Sequence, residues 1–426
     1  MLRWRDTHPY NAVHVVRIDQ PLDPVRLQAL IDAHLSALGL TGLVLDGARG
    51  RYEYTGGRAT TQLRVIAGGE DPLRIVRSEM ERELNLPFAR DGRIDPFRFF
   101  AVGVGSSFYL GLVYDHFIAG GDSIVILLKG LLEHYEGKAA PGAAPSALEL
   151  YPPTFRRLML RHPWRVLRGM RRLWELPASC RRAFRPRYPG VPDPRNAIAY
   201  LRLEPPEVES FVGAARAWGV TQNDLLIAML MQALSPLTEE RRGHRRRNEL
   251  AIASIINLRR DFDNGATTTF GQFLSSFRVS HKVPTGISLQ QLAQDVHAET
   301  ARIRQKKRYF QTLLAMQMSG AIWRYLTPES RANFHCKNYP VWAGTTPLNV
   351  NALWTEGGSD TPAPEYLRAV STGPLAPLVV AVTTAGNVLH VGLSYRTAAF
   401  SVENIDRIAA RIHQSFQNLP HESAST

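Results

Sequence analysis

Nine residues, Asp115–Ser123 (DHFIAGGDS), hold the groups in this chain best placed to do chemistry. His116 follows an apolar, β-prone run, Phe108–His116, and precedes two glycines, Gly120 and Gly121. An imidazole at the end of a buried strand can take a proton from an attacking amine or hydroxyl. The glycines allow a tight turn and a close approach of backbone to ligand. A helix beginning near Ser123 would turn its positive end toward His116 and favour the neutral ring that a base requires. A core histidine bonded to a carbonyl would fit the same position, and the nine residues alone leave both readings open.

The neighbouring sequence has to position this turn. Ser123–Tyr135 repeats apolar residues at 124, 127, 128, 131, 132 and 135, which predicts a helix. Ala12–Ile18 alternates as a strand, and Asp23-Pro24 opens a helix carrying Leu27, Leu30, Ile31 and Leu35. Leu63–Ile66 and Phe97–Val104 read as strands with a helix at Pro72–Leu84 between them. After a Pro/Gly/Arg-rich stretch at 185–194 the pattern repeats. It has a strand at Ala197–Leu203, helices at Pro206–Trp218 and Gln222–Ala233, and a strand at Leu250–Ile256. A charged helix at Leu289–Lys307, a hairpin at 378–382 and 388–395, and an amphipathic helix at Ser401–Phe416 complete the chain. At 426 residues the chain exceeds the ~250–300 at which one core stops growing, so two similar lobes are expected, residues 1–189 and 190–426.

Several segments together resemble one family. YDHFIAGGDSIVILL is similar to the HHxxxDGxS segment of the condensation-domain and chloramphenicol-acetyltransferase-like superfamily. NAVHVVRIDQPLDPVRLQALIDAHL resembles its opening strand and helix, and GVTQNDLLIAMLMQAL its GVTxND helix. IINLRRDFDNGATTTFGQFLSSFRV resembles its N-x-R strand and FGN-like segment, PLNVNALW its bridging strand, and the hairpin ending LSYRTAAFS its closing elements. The resemblance implies an α/β (α+β) chain of two chloramphenicol-acetyltransferase-like lobes, a V-shaped pseudo-dimer with a tunnel between them. It puts His116 on the catalytic or positioning histidine, Asp115 on the first motif His, Gly121 on the motif glycine and Ser123 on the motif serine. The motif Asp falls on Gly120, and the nearest acid is Asp122. In the family that Asp pairs with a distant arginine and holds the turn, so Arg259 or Arg260 is the implied partner here. Asp122 could take over the pairing or merely cap the helix, and the cap is the expectation.

The implied activity is acyl transfer from a thioester to a small-molecule amine or alcohol, in secondary metabolism or lipid assembly. The donor is phosphopantetheine-borne, on an acyl carrier protein or coenzyme A, and no cofactor is held permanently. Asn351, Trp354 and Tyr395 are second-lobe candidates for substrate contact. The competing readings are a degenerate carrier-binding protein and a membrane-surface lipid-handling protein anchored through Trp164 and Trp174.

Composition bounds these readings. The net charge is +13, and between Thr154 and Arg187 eleven arginines face one acid, Glu175, so this strap carries ten of the thirteen charges. Such a strap attracts phosphates, acidic proteins or anionic lipid, with Arg168, Arg171 and Arg172 as candidate donor-docking residues. Nothing resembles a nucleic-acid module. Two cysteines make no disulfide framework, and no HExxH or CxxC spacing suggests a metal. The longest apolar runs fall short of the ~20 residues of a membrane helix, and the N-terminal residues lack a secretory core. A soluble cytoplasmic protein is the expectation.

Overall fold

The computed structural model describes residues 9–420 except 47–50, 139–149, 151–159, 161–162, 165–174, 187–192, 240–246, 262–268, 283–285, 328–329, 332–333, 335–336, 356–362 and 374. The expected boundary near 190 and the docking residues Arg168, Arg171 and Arg172 lie outside the described residues.

The first half runs β1 (Asn11–Ile18), α1 (Pro24–Ala37), β2 (Leu43–Asp46), β3 (Arg51–Tyr54), β4 (Leu63–Ile66), α2 (Pro72–Asn85), β5 (Gly92–Ile94), β6 (Phe97–Val104), β7 (Ser107–Asp115) and α3 (Gly121–Tyr135). The second runs α4 (Glu175–Arg182), β8 (Asn196–Leu203), α5 (Pro205–Ala217), α6 (Gln222–Glu239), β9 (Glu249–Asn257), β10 (Leu274–Lys282), α7 (Leu289–Gln305) and α8 (Tyr309–Ile322). It ends with β11 (Ala343–Asn349), α9 (Val350–Trp354), β12 (Tyr366–Val370), β13 (Leu378–Ala385), β14 (Val388–Arg396) and α10 (Val402–Gln417).

Local chemistry accounts for many of these bounds. Asp23 caps α1 by accepting from the Val25 and Arg26 N–H groups, with Pro24 at the first helical position. Ser288 caps α7 and Ser401 caps α10 in the same way. All nine residues of β7 are buried, as the central strand of a sheet covered on both faces must be.

Two sheets organise the molecule, in the orders β12-β1-β7-β6-β4 and β10-β9-β11-β13-β14-β8, with a small third sheet β3-β2-β5. This is the expected α/β pseudo-dimer architecture, with one exchange: β12, from the second half of the chain, pairs antiparallel with β1 of the first sheet. The second sheet also opens. β11 lies parallel to β9 only over Ala343–Thr345, opposite Ile252–Ser254. Beyond that, β9 stays with β10 to Asn257 while β11 follows β13 to Asn349, so the two strands part. The residues past the parting, 255–257 and 346–349, are partly or fully exposed.

Gly111 on β7 is required by packing. A Cβ there would lie 2.2 Å from the Phe100 ring, which crosses the sheet surface at that point. Gly111→Ala is therefore expected to force Phe100 from its place and cost ~1–3 kcal/mol or more by overpacking. Chemical denaturation checks this, and an unchanged midpoint would contradict it.

Candidate active site

The chain leaves β7 at Asp115, turns through His116–Gly120 and enters α3 at Gly121. The turn is tied down from the second half of the molecule. The Gln272 side-chain amide donates to the carbonyls of His116 (2.7 Å) and Ala119 (3.1 Å), and the Gly120 N–H donates to the Gly271 carbonyl (3.0 Å). Ser123 Oγ lies 3.3 Å from both the N–H and the carbonyl of Gly271. The motif glycine Gly121 is the first residue of the helix and Ser123 lies in its first turn.

The expectation that Asp122 caps α3 is overturned. The capping position is Gly120, without a side-chain cap, and Asp122 stands inside the first turn. Its Oδ2 makes a buried ion pair with Arg259 Nε and accepts from Asn257 Nδ2 at 3.0 Å. Arg259 is held in turn by Ser123 Oγ (2.6 Å) and the Thr269 carbonyl (2.9 Å), with its guanidinium 4.2 Å over the Phe273 ring. Of the two candidate arginines, Arg259 makes the pair; Arg260 follows it in the same short turn. The physical reason lies at Gly120. A Cβ on that residue would sit 2.8 Å from Asp122 Oδ1, so the carboxylate of Asp122 fills the space a side chain at position 120 would take. An acid two residues along the chain reaches the same arginine because position 120 has no side chain.

His116 is 8% exposed, and its Nδ1 has no hydrogen-bond partner among the described residues. Burial, then the charge of Arg368, pulls the imidazole down to about 4, with a backbone hydrogen bond at Ala119 opposing. The ring is thus neutral at physiological pH. Tyr10 and Tyr114 flank it with ring centroids at 5.2 and 5.6 Å. Asp115, on the first motif-His position, is buried; its charge adds to the effect of burial in raising the Tyr10 phenol.

The second-lobe candidates have other work. The Asn351 amide clasps the β13–β14 turn, donating to the Gly386 carbonyl (2.8 Å) and accepting its N–H (2.7 Å). Trp354 is buried in the core of the first sheet and Tyr395 in that of the second. Among the described residues none of the three makes a hydrogen bond or ring contact to His116; Asn351 serves turn closure, and Trp354 and Tyr395 serve packing. Sequence reasoning missed Gln272, Asn257, His14 and Arg368. A signal existed for Arg368, since a charge in the middle of the β-prone stretch YLRAV has to be accommodated in the sheet. His14 is buried opposite Arg368, with Nδ1 2.7 Å from the Tyr366 hydroxyl.

A tunnel at His116 is not among the features the described residues show. A cavity of about 350 Å³ lies elsewhere, lined by Ser78, Glu81, Arg82, Asn85, Leu86 and Arg195. What does reach the turn is the parting of β9 and β11. Asn257 at the end of β9 bonds Asp122, and Leu348 of β11 comes within 3.4 Å of where a Cβ on Gly121 would be. Among the described residues no group of acids, histidines and cysteines is placed to hold a metal, and no helix is long and apolar enough to cross a membrane.

No protein-family model matches the sequence, and no curated protein does. Solved structures do. The first condensation domain of the calcium-dependent antibiotic synthetase, in complex with a substrate analogue, superposes with a TM-score of 0.71 at 17% identity, over 98% of this chain and 93% of that one. The chain has the condensation-domain fold. The condensation domain of the Monacolin K polyketide synthase MokA is similar too, with a TM-score of 0.65 at 14% identity over 98% and 95% of the two chains. So is the epimerization domain from the third module of tyrocidine synthetase B, at 0.60 and 14% over 97% and 91%. The condensation-domain fold thus serves proteins described by different activities, and function has to be argued from the site.

Two outcomes are expected from this geometry. Asp122→Ala removes the carboxylate that Arg259 meets in the buried ion pair and should cost ~3–5 kcal/mol. Adding Gly120→Asp to that variant should recover at least ~1 kcal/mol, a coupling read by a double-mutant cycle; strict additivity would contradict the space-sharing of positions 120 and 122. The second concerns pH. His34, His116 and His390 are lowered to about 4 and His14 well below its usual value, all chiefly by burial. The unfolded chain then binds protons below about pH 6.5 that the folded chain refuses, so stability should fall as pH drops from 6.5 toward 4. Thermal melts between pH 7.5 and 4.5 check the sign.

Proposed function

We propose that this protein transfers an acyl group from a phosphopantetheine thioester to an amine or hydroxyl of a small molecule, with His116 as the base. The observation that carries the reading is the His116 imidazole itself, neutral, buried and with Nδ1 unpartnered among the described residues, on a turn bolted from both halves of the molecule. A buried ring nitrogen left unsatisfied in a tightly held turn is a group available for a substrate proton. In the reaction the nucleophile attacks the thioester carbonyl carbon while His116 accepts its proton. The tetrahedral oxyanion collapses, the carbon–sulfur bond breaks, and the proton passes to the departing thiolate. The parted ends of β9 and β11, exposed beside Gly121, are the route for the pantetheine arm. The first-turn N–H groups of α3 supply donors for the oxyanion.

The donor is an acyl carrier protein in preference to free coenzyme A, because the arginine strap is longer than one nucleotide needs. A second reading, carrier binding without catalysis, is favoured by Asp115 standing where the resembling motif has its first His.

A panel of acyl-pantetheine, acyl-coenzyme A and acyl-carrier donors with amine and alcohol acceptors, read by intact mass, decides between the two. His116→Ala is expected to lower turnover by roughly 10²–10⁴ with the melting curve retained. The acid limb of kcat/KM should lie near pH 4 to 5, below the usual histidine range. Wild-type turnover in a folded His116→Ala protein would remove the base from the mechanism. Reversal of Arg168, Arg171 and Arg172 to Glu should raise donor KM and flatten its salt dependence while kcat stays near wild type; kinetics indifferent to both would make the strap a solvated connector.

A further inference from the structure

Arg368 lies at the centre of β12, opposite His14, and its side chain reaches from the first sheet into the second. It is 4% exposed, and every hydrogen-bond partner of its side chain among the described residues is neutral. Nε meets Thr383 Oγ1 at 3.4 Å, Nη2 donates to the carbonyls of Thr346 and Val382, and Nη1 makes only a long 3.4 Å contact to Thr346 Oγ1. The groups acting on its charge are the phenols of Tyr114, Tyr366 and Tyr200, with no carboxylate among them. Burial lowers the guanidinium to about 10, so it stays charged at neutral pH. Neutral oxygens satisfy its N–H groups but do not cancel its charge, and a buried unpaired charge is strongly unfavourable.

The uncompensated cation sits at the reaction centre. Nη1 is 3.3 Å from the point a Cβ on Gly121 would occupy, with His14 Cε1 and Leu348 Cδ2 each 3.4 Å from that point. Gly121 is the first residue of α3, whose first-turn N–H groups have no intrahelical acceptors. The flank is open to solvent: Gly121, Thr346 and Leu348 are partly exposed and Pro347 is exposed. The charge also reaches His116, as its effect on that ring shows.

We propose that Arg368 is a built site for a single carboxylate carried by one of the two substrates, entering at the seam between Gly121 and Thr346–Leu348. One carboxylate oxygen takes the under-used Nη1 edge, and the other faces the exposed flank at Thr346–Leu348, leaving the first-turn N–H groups of α3 to the oxyanion. A monoanion matches one cation; a phosphate dianion would bring a second charge that nothing here offsets. The site rests on the acyl-transfer reading for its place beside His116. It makes Arg368 the residue that selects acidic acyl groups or acidic acceptors over neutral ones.

Calorimetric dissociation constants test this with two matched pairs on the full chain. Succinyl-pantetheine against succinamoyl-pantetheine places the carboxylate on the acyl group; lactate against lactamide places it on the acceptor. The anion of one pair is expected to bind at least ten-fold tighter than its amide, and the responding pair identifies the source. The preference should vanish in Arg368→Met and persist, reduced, in Arg368→Lys. Equal affinities within both pairs, or a preference unchanged in Arg368→Met, would overturn the site. Independently of any variant's folding, the bound carboxylate should raise the His116 titration midpoint in the wild type, read by NMR, where its amide does not. No difference there also overturns the proposal. Failure of both pantetheine thioesters to bind would count against acyl transfer, while the lactate pair still tests Arg368.

Discussion

A buried pair of opposite charges, Asp122 with Arg259, is what the rest of the site depends on. It joins the first turn of α3 to the loop that follows β9, two elements 137 residues apart in sequence. Neither ion can remain dry and unpaired, so α3 cannot move relative to the second sheet without exposing or separating them. Asn257, Ser123, Thr269 and the Phe273 ring close around the pair and leave it one geometry. With α3 fixed at its first turn, the preceding residues are fixed as well, and Gln272 completes the hold on the His116 and Ala119 carbonyls.

Around that clamp the charges are distributed unevenly. Arg259 has its acid, whereas Arg368, beside Gly121, has none among the described residues. The histidines between and beside them, His14 and His116, are buried and therefore neutral. The result is a deprotonated imidazole set between the charge of Arg368 and the buried carboxylate of Asp115. In the acyl transfer proposed above, attack on a thioester carbonyl creates negative charge and releases a proton, and a neutral ring near the Arg368 cation suits both.

Much of this could be read in the sequence because it rests on local patterns. The bounds of β4 and β6 follow from apolar runs, the start of α1 from Asp23-Pro24 and the course of α10 from helical periodicity, while α3, expected from Ser123, begins at Gly121. The turn could be located because His116, the two glycines and Asp122 lie within a few residues of one another. The partner of Asp122 was narrowed to Arg259 or Arg260, yet the choice between pairing and capping depended on the empty Cβ position at Gly120, a distance no residue pattern contains. The short strands β2, β3, β5 and β12 were missed because three to five residues carry little periodicity. Missing β12 hid Arg368, since only the exchange of that strand into the first sheet brings residue 368 opposite His14. Asn351, Trp354 and Tyr395 were attractive for their side-chain chemistry, but turn closure and core packing use them instead.

The central claim is that the clamped turn presents a neutral imidazole at the seam between the halves. A nitrogen-15 NMR titration of His116 in the wild-type protein tests it most directly. The account expects the ring to stay neutral and in one tautomer from pH 8 down to about 5, with its midpoint near 4. A midpoint at the ordinary value of about 6.5 would contradict it, because the ring would then be solvated rather than buried behind the Asp122–Arg259 pair.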